Sequence, residues 1–87
     1  MEERIPPQNL EAEQSVLGAM MLSKDAIASV AGRIVPEYFY KDGHMHIFNA
    51  IMSLMKKGEP VDLVTVSAAL KKMNLLEAAG GKSYLVD

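Results

Sequence analysis

The sequence predicts an all-α domain, and two observations support this class. Apolar residues recur every three or four positions, most clearly over residues 47–55, and the β-branched residues lie within these helical stripes. Residues that cap helices precede the stripes, and glycines follow several of them. We therefore expect a compact globular bundle of five or six short helices that makes residues 1–87 one small domain.

The chain should open with an extended arm and a capped helix. Residues 1–8 form the arm, because the paired prolines in it fix φ and lack backbone donors. Asn9 can then cap a first helix over residues 10–22. Glu11 and Glu13 fall in its first turn, where the positive helix end favours carboxylates.

A second, short helix and a single turn should follow. Ser23 can cap this helix, which stops at Gly32. Pro36 then starts one turn that carries an aromatic cluster. We interpret the cluster as core anchors, because no basic residues surround it as they would surround a base-stacking surface. Its members are Tyr38, Phe39 and Tyr40.

The clearest helical pattern runs from about His44 to Lys57 and predicts the central core helix. Two lysines stand at its negative end, and Gly58 can take the left-handed conformation that closes it. The apolar stripe consists of Ile47, Phe48, Ile51, Met52, Leu54 and Met55.

The last full helix should run from Asp62, its cap, to about Asn74. Val61 is placed to pack against Val66 as a hydrophobic staple. Residues 75–79 allow one further turn, closed by two glycines, after which residues 83–87 resemble a helix that is cut off. The predicted buried face is Leu63, Val66, Leu70 and Met73.

Composition argues against several classes of function. The chain has no cysteine, so it can form neither a disulfide nor a thiolate metal site. Its longest apolar run is too short for a membrane span, and an acidic N-terminus is unlike a signal peptide, so we expect a cytoplasmic protein without a membrane partner. A net charge of -2 provides no general basic field, so we expect no strong DNA binding by this chain.

The motif Gly81-Lys82-Ser83 resembles the end of a phosphate-binding loop, but its spacing is wrong. That loop needs a glycine five positions earlier, where this chain has Leu76, and a strand before it. We therefore expect no nucleotide cofactor in this chain.

The sequence also gives little support for a metal site or a catalytic site. His44 and His46 stand two positions apart, which on a helix turns them to different faces, so we interpret them as solvated or capping residues. The carboxylates all have helix-end or surface explanations, and no nucleophile accompanies them. The methionines could line an adaptable groove, but most lie on or beside apolar stripes and are read as core filling. We predict no catalytic residue and no metal ligand.

Four segments in order resemble the N-terminal domain of DnaB-type replicative DNA helicases, and together they cover nearly the whole chain. They are Arg4-Ile5-Pro6-Pro7-Gln8 with Glu11-Ala12-Glu13, Tyr38-Phe39-Tyr40 leading into His46-Ile47-Phe48, the block from Gly58 to Val66, and Gly80-Gly81-Lys82-Ser83-Tyr84-Leu85.

This resemblance implies a non-catalytic interaction and assembly domain that is part of the collar of a hexameric, ATP-driven helicase. The ATP and Mg²⁺ sites would belong to a motor domain absent from this chain, and the chain would stop before a helical hairpin that pairs such domains. The implied partners are the helicase-binding domain of primase, other helicase subunits and helicase loaders. Partner contact is expected at Glu11, at the exposed start of the first helix, and at Tyr84, near the hairpin junction.

Two alternatives remain beside this hypothesis. The chain could be an unrelated small helical adaptor, with the four matches coincidental. It could also be an autonomous nucleotide-binding or DNA-binding protein, which Leu76 and the acidic charge balance oppose. Each of the two expected contact residues also has a purely structural explanation. Glu11 can be an acidic residue that favours the first turn of its helix, and Tyr84 can be an aromatic residue that packs under the next helix.

Overall fold

A computed structural model describes residues 10–81, and these residues are helical with short connections. The predicted all-α class is confirmed. The extended arm, the Asn9 cap and the interrupted helix at residues 83–87 lie outside the described residues. The helices are α1 (Leu10–Leu22), α2 (Lys24–Val30), α3 (Asp42–Lys56) and α4 (Leu63–Lys72), with one 3-10 turn (Pro36–Tyr38) before α3.

Helix α3 is the centre of the domain, as the sequence predicted. It packs against α1, the 3-10 turn and α4, while α2 packs on α1. The ring of Phe39 packs at a tilt of 40° against that of Phe48 of α3, with ring centroids 5.2 Å apart. The buried apolar core draws on every α-helix and consists of Leu17, Met20, Ile27, Phe39, Ile47, Phe48, Ala50, Ile51, Leu54, Val66, Leu70 and Ala79.

Local side-chain caps start α2 and α4, as predicted. The Ser23 hydroxyl accepts hydrogen bonds from the backbone N–H groups of Asp25 and Ala26. At α4 the Asp62 carboxylate accepts from Thr65 N–H at 2.9 Å, and the Thr65 hydroxyl accepts from Asp62 N–H at 2.9 Å. This reciprocal capping box satisfies two donors that the first turn of a helix leaves open. Val61 packs against the core cluster that contains Val66, as expected of the staple.

Two residues in the left-handed conformation close α3 and α4. Gly58 has φ +74°, and the next N–H, that of Glu59, donates to Leu54 C=O at 2.9 Å. Asn74 has φ +61°, and the N–H of Leu75 donates to Leu70 C=O at 2.8 Å. Both ends are Schellman motifs, which supply donors for the last carbonyls of each helix.

The structure corrects three sequence predictions. Helix α3 begins at Asp42, two residues before the predicted start. Of the three predicted aromatic anchors only Phe39 is buried, whereas Tyr38 and Tyr40 are mostly exposed. The stripes of α3 and α4 end before the last predicted methionines, because Met55 in the last turn of α3 and Met73 just after the end of α4 are exposed.

The start of α3 also packs closely against the turn after α4. A Cβ added at Gly43 would lie 3.0 Å from the carbonyl oxygen of Ala78 and 3.2 Å from the Cα of Ala79. Both of these atoms belong to the backbone, which cannot move aside as a flexible side chain would. Only glycine allows the two segments to meet at this distance.

We expect Gly43→Ala to lower the free energy of unfolding by about 1–3 kcal/mol, the usual cost of overpacking. Gly18→Ala is the matched control, because that helical glycine has no neighbour within 4 Å of an added Cβ. The control should gain about 0.5–1 kcal/mol from helix propensity. Urea unfolding of both variants tests this, and equal stability changes would contradict the close approach.

Candidate functional site

A carboxylate of α1 joins that helix to the beginning of α3. Oε1 of Glu13 lies 2.8 Å from Nδ1 of His44, and Oε2 accepts a hydrogen bond from the backbone N–H of Tyr40 at 2.7 Å. Glu13 lies 27 residues before Tyr40 and 31 before His44, so the fold alone brings it to these two neighbours. We call Glu13, His44 and the Tyr40 N–H the α1–α3 clamp.

The clamp is shielded from solvent. The side chain of His44 is 1% exposed and that of Glu13 is 13% exposed. An ionised carboxylate can only accept, so Nδ1 of His44 carries the hydrogen of the shared bond. The sequence predicts a solvated or capping role for His44. Solvation is wrong, because this residue is buried and bonded to Glu13. His46, on another face of α3, is half-buried.

Three groups determine the charge state of Glu13. Burial raises the pKa of its carboxyl, but the hydrogen bonds from the Tyr40 backbone and the His44 side chain, with a smaller contribution from the Lys41 backbone, outweigh burial. The net effect lowers the pKa of Glu13 below its ordinary value of 4.5. The clamp thus holds this carboxylate in its ionised form.

The clamp lies at the start of a helix that has no side-chain cap of its own. The N-cap residue Lys41 makes no side-chain capping bond, in contrast to Ser23 and Asp62 at α2 and α4. The Glu13 carboxylate instead lies at the α3 N-terminus, where the helix dipole favours a negative charge. A helix start without a capping side chain in the local sequence is the signal that could have indicated a distant carboxylate.

The clamp engages both oxygens of the Glu13 carboxylate in contacts within the fold. Among residues 10–81, no group of three or more His, Cys, Asp or Glu side chains could hold a metal ion.

The predicted partner residues lie elsewhere. Glu11 is exposed in the first turn of α1. It stands two positions before Glu13, which on an α-helix turns the two side chains about 200° apart. Glu11 therefore takes no part in the clamp and faces away from α3. Tyr84, the other predicted contact, lies outside the described residues.

None of the helices within residues 10–81 has the length and apolar character that crossing a membrane requires.

Comparisons with protein families and with single proteins point to the same family. Residues 5–87 match the sequence family described as "DnaB-like helicase N terminal domain". The chain is 48% identical to the replicative DNA helicase DnaC of Bacillus subtilis over 87 residues, which is 100% of this chain and 19% of that protein. It is 51% identical to the replicative DNA helicase DnaB of Geobacillus stearothermophilus, over 95% of this chain and 18% of that protein.

A solved structure shares both the sequence and the fold. The N-terminal domain of DnaB helicase from Mycobacterium tuberculosis superposes with a TM-score of 0.88 at 53% identity, covering 93% of this chain and 59% of that one. This chain spans less than a fifth of the two full-length relatives.

We expect Glu13→Gln to destabilise the domain by about 1–3 kcal/mol, because the neutral amide keeps only one acceptor oxygen for two donors. Glu11→Gln, the same change two residues earlier on the exposed side, should alter stability by less than about 0.5 kcal/mol. Urea unfolding of the two variants at neutral pH measures the difference, and equal values would show that the clamp contributes no stability.

The clamp should also respond to acid. Since folding lowers the pKa of Glu13, its contribution is fully present above the ordinary value of 4.5 and is lost as pH falls through the lower folded value. The stability advantage of the wild-type chain over Glu13→Gln should therefore shrink as pH falls below about 5. Unfolding free energies measured across this range test the sign, and a difference that grows on acidification would contradict it.

Proposed function

Because this chain belongs to the family of DnaB-like helicase N-terminal domains, we propose that it is a non-catalytic interaction and assembly domain of a replicative DNA helicase. In this proposal it forms part of the collar of a hexameric ring and docks the helicase-binding domain of primase during DNA replication. The observation that carries the proposal is the family match over nearly the entire chain at about half sequence identity.

The relatives indicate the kind of longer protein in which such a domain occurs. Each is named a replicative DNA helicase and is more than five times as long as this chain. We assign ATP and Mg²⁺ binding to a motor domain outside these residues. Leu76 supports this assignment, because it stands where a phosphate-binding loop needs glycine and it packs against the core instead. The net charge of -2 likewise favours a protein partner over DNA for this domain.

Within the domain, we propose Glu11 and Tyr84 as contacts to primase. Glu11 has an exposed side chain on the opposite side of α1 from the clamp, so its charge can meet a partner without disturbing the fold. The other proposed partners are further helicase subunits in the ring and a helicase loader.

Titration of the isotopically labelled chain with the helicase-binding domain of primase from the same organism tests the docking proposal. Glu11→Ala should weaken binding by about tenfold, as for an interface residue that contributes somewhat more than ~1 kcal/mol, and leave thermal stability nearly unchanged. Tyr84→Ala should also weaken binding.

Glu37→Ala is the matched control, because Glu37 is exposed and acidic but belongs to the 3-10 turn and not to α1. Its affinity for primase should equal that of the wild-type chain. Unchanged affinity of Glu11→Ala, or a loss of stability in Tyr84→Ala that matches its loss of binding, would argue against the respective contact.

A further inference from the structure

An open trough lies between the last turns of α3 and the face of α4 that starts at Thr65. Its volume is about 400 Å³, within the range of sites that bind ligands of drug size, so a short chain segment fits there and a folded element does not. We call it the α3–α4 trough. The apolar residues that line it are Leu54, Ala68, Ala69 and Met73.

Each wall of the trough carries one lysine. Lys57 follows the last residue of α3, Lys72 is the last residue of α4, and both line the trough. Both are exposed, and neither forms an ion pair with another residue of the described range. Glu59 is the one carboxylate of the lining, so cations outnumber anions there.

The surroundings of the trough are basic although the whole chain is acidic. Residues 53–73, which form both walls, contain four lysines and two carboxylates, whereas the chain as a whole has a net charge of -2. One of the two carboxylates, that of Asp62, is engaged in capping α4. This local excess of positive charge favours an anionic partner at the trough.

The lining distinguishes between two kinds of anionic partner. A nucleic acid would bring phosphates and bases, but no aromatic side chain lines the trough on which a base could stack. Its apolar floor offers nothing to a phosphate. A peptide that carries both carboxylates and apolar side chains matches the lysines and the floor together.

From this arrangement we propose that the α3–α4 trough binds a short acidic and apolar segment of another protein. Its apolar side chains enter between Ala68, Ala69 and Met73, and its carboxylates pair with Lys57 and Lys72. No residue of α1 lines the trough, so this site does not depend on primase docking through Glu11. Because a short segment buries far less than the roughly 1,200 Å² of a stable complex, the contact is weak and readily exchanged.

The chain contains its own control for these lysines. Cations near the C-terminal end of a helix are favoured by the helix dipole, whether or not they bind a partner. Lys56 and Lys71 stand one position before Lys57 and Lys72 at the same helix ends and are also exposed, but neither lines the trough. Changes at the two pairs therefore disturb the helix ends alike and differ only at the trough.

NMR titration of the isotopically labelled chain, in roughly 0.15 M salt, with an octapeptide of alternating aspartate and leucine tests the proposal. Methyl resonances of Leu54, Ala68, Ala69 and Met73 should shift. Replacing both Lys57 and Lys72 by glutamate should raise the dissociation constant by about tenfold or more, because like charges then face each other. The same replacement of Lys56 and Lys71 should change it by less than about threefold, because the salt screens charges outside the site.

A second variant tests the apolar part of the site without changing charge. Ala68→Leu places a larger side chain in the trough at an exposed helical position, where leucine is nearly as favourable as alanine. This variant should remain folded and bind the octapeptide more weakly than the wild-type chain does.

Four results would overturn the proposal. They are the absence of methyl shifts at about 1 mM octapeptide, equal losses of affinity in the two lysine double variants, equal affinity for an octapeptide with asparagine in place of aspartate, and shifts produced by an oligothymidylate but not by the octapeptide. The last result would assign the trough to single-stranded nucleic acid. Primase docking is measured separately, through Glu11, so either proposal can fail alone.

Discussion

The position of α3 depends on a carboxylate that belongs to another helix. Glu13 of α1 binds the Tyr40 N–H and the His44 side chain at the start of α3, where no local side chain caps the helix. On another side of the same helix start, Gly43 lets the backbone after α4 approach to contact distance. Since α3 provides the largest part of the buried core, these two contacts fix the helix around which the other elements pack.

This constraint divides the acidic residues of α1 between two roles. Glu13 has a structural role, because both its oxygens accept hydrogen bonds and burial leaves it little contact with water. Glu11, about 200° away around the helix, has no such duty in the clamp and keeps its charge at the surface. A motif with two glutamates therefore does not define one acidic patch. A partner that recognises negative charge on α1 would contact Glu11 and not Glu13.

The sequence predicts the local interactions of this fold but not the interactions between residues that are distant in the chain. Ser23, Asp62 and Gly58 act within a few residues of their own positions, so their roles follow from spacing alone. The bond from Glu13 to His44 joins residues 31 positions apart, and no local pattern contains it. For the same reason α3 begins earlier than predicted. The exposure of the aromatic residues beside Phe39 also depends on packing, because of these three rings only that of Phe39 is buried and contacts Phe48.

The clamp lies at one end of α3, and an open apolar groove lined by Met55, Pro60 and Val61 lies at the other. His44 and Met55 are eleven positions apart, which corresponds to about 16 Å along the helix axis. At that separation, with no shared partner, changes at the two ends should contribute almost independently to stability. The start of α3 is buried, charged and closely packed, whereas its last turn exposes a flexible methionine beside Pro60. A domain arranged in this way can change side chains at the end of α3 without loosening the contacts that hold the start of this central helix.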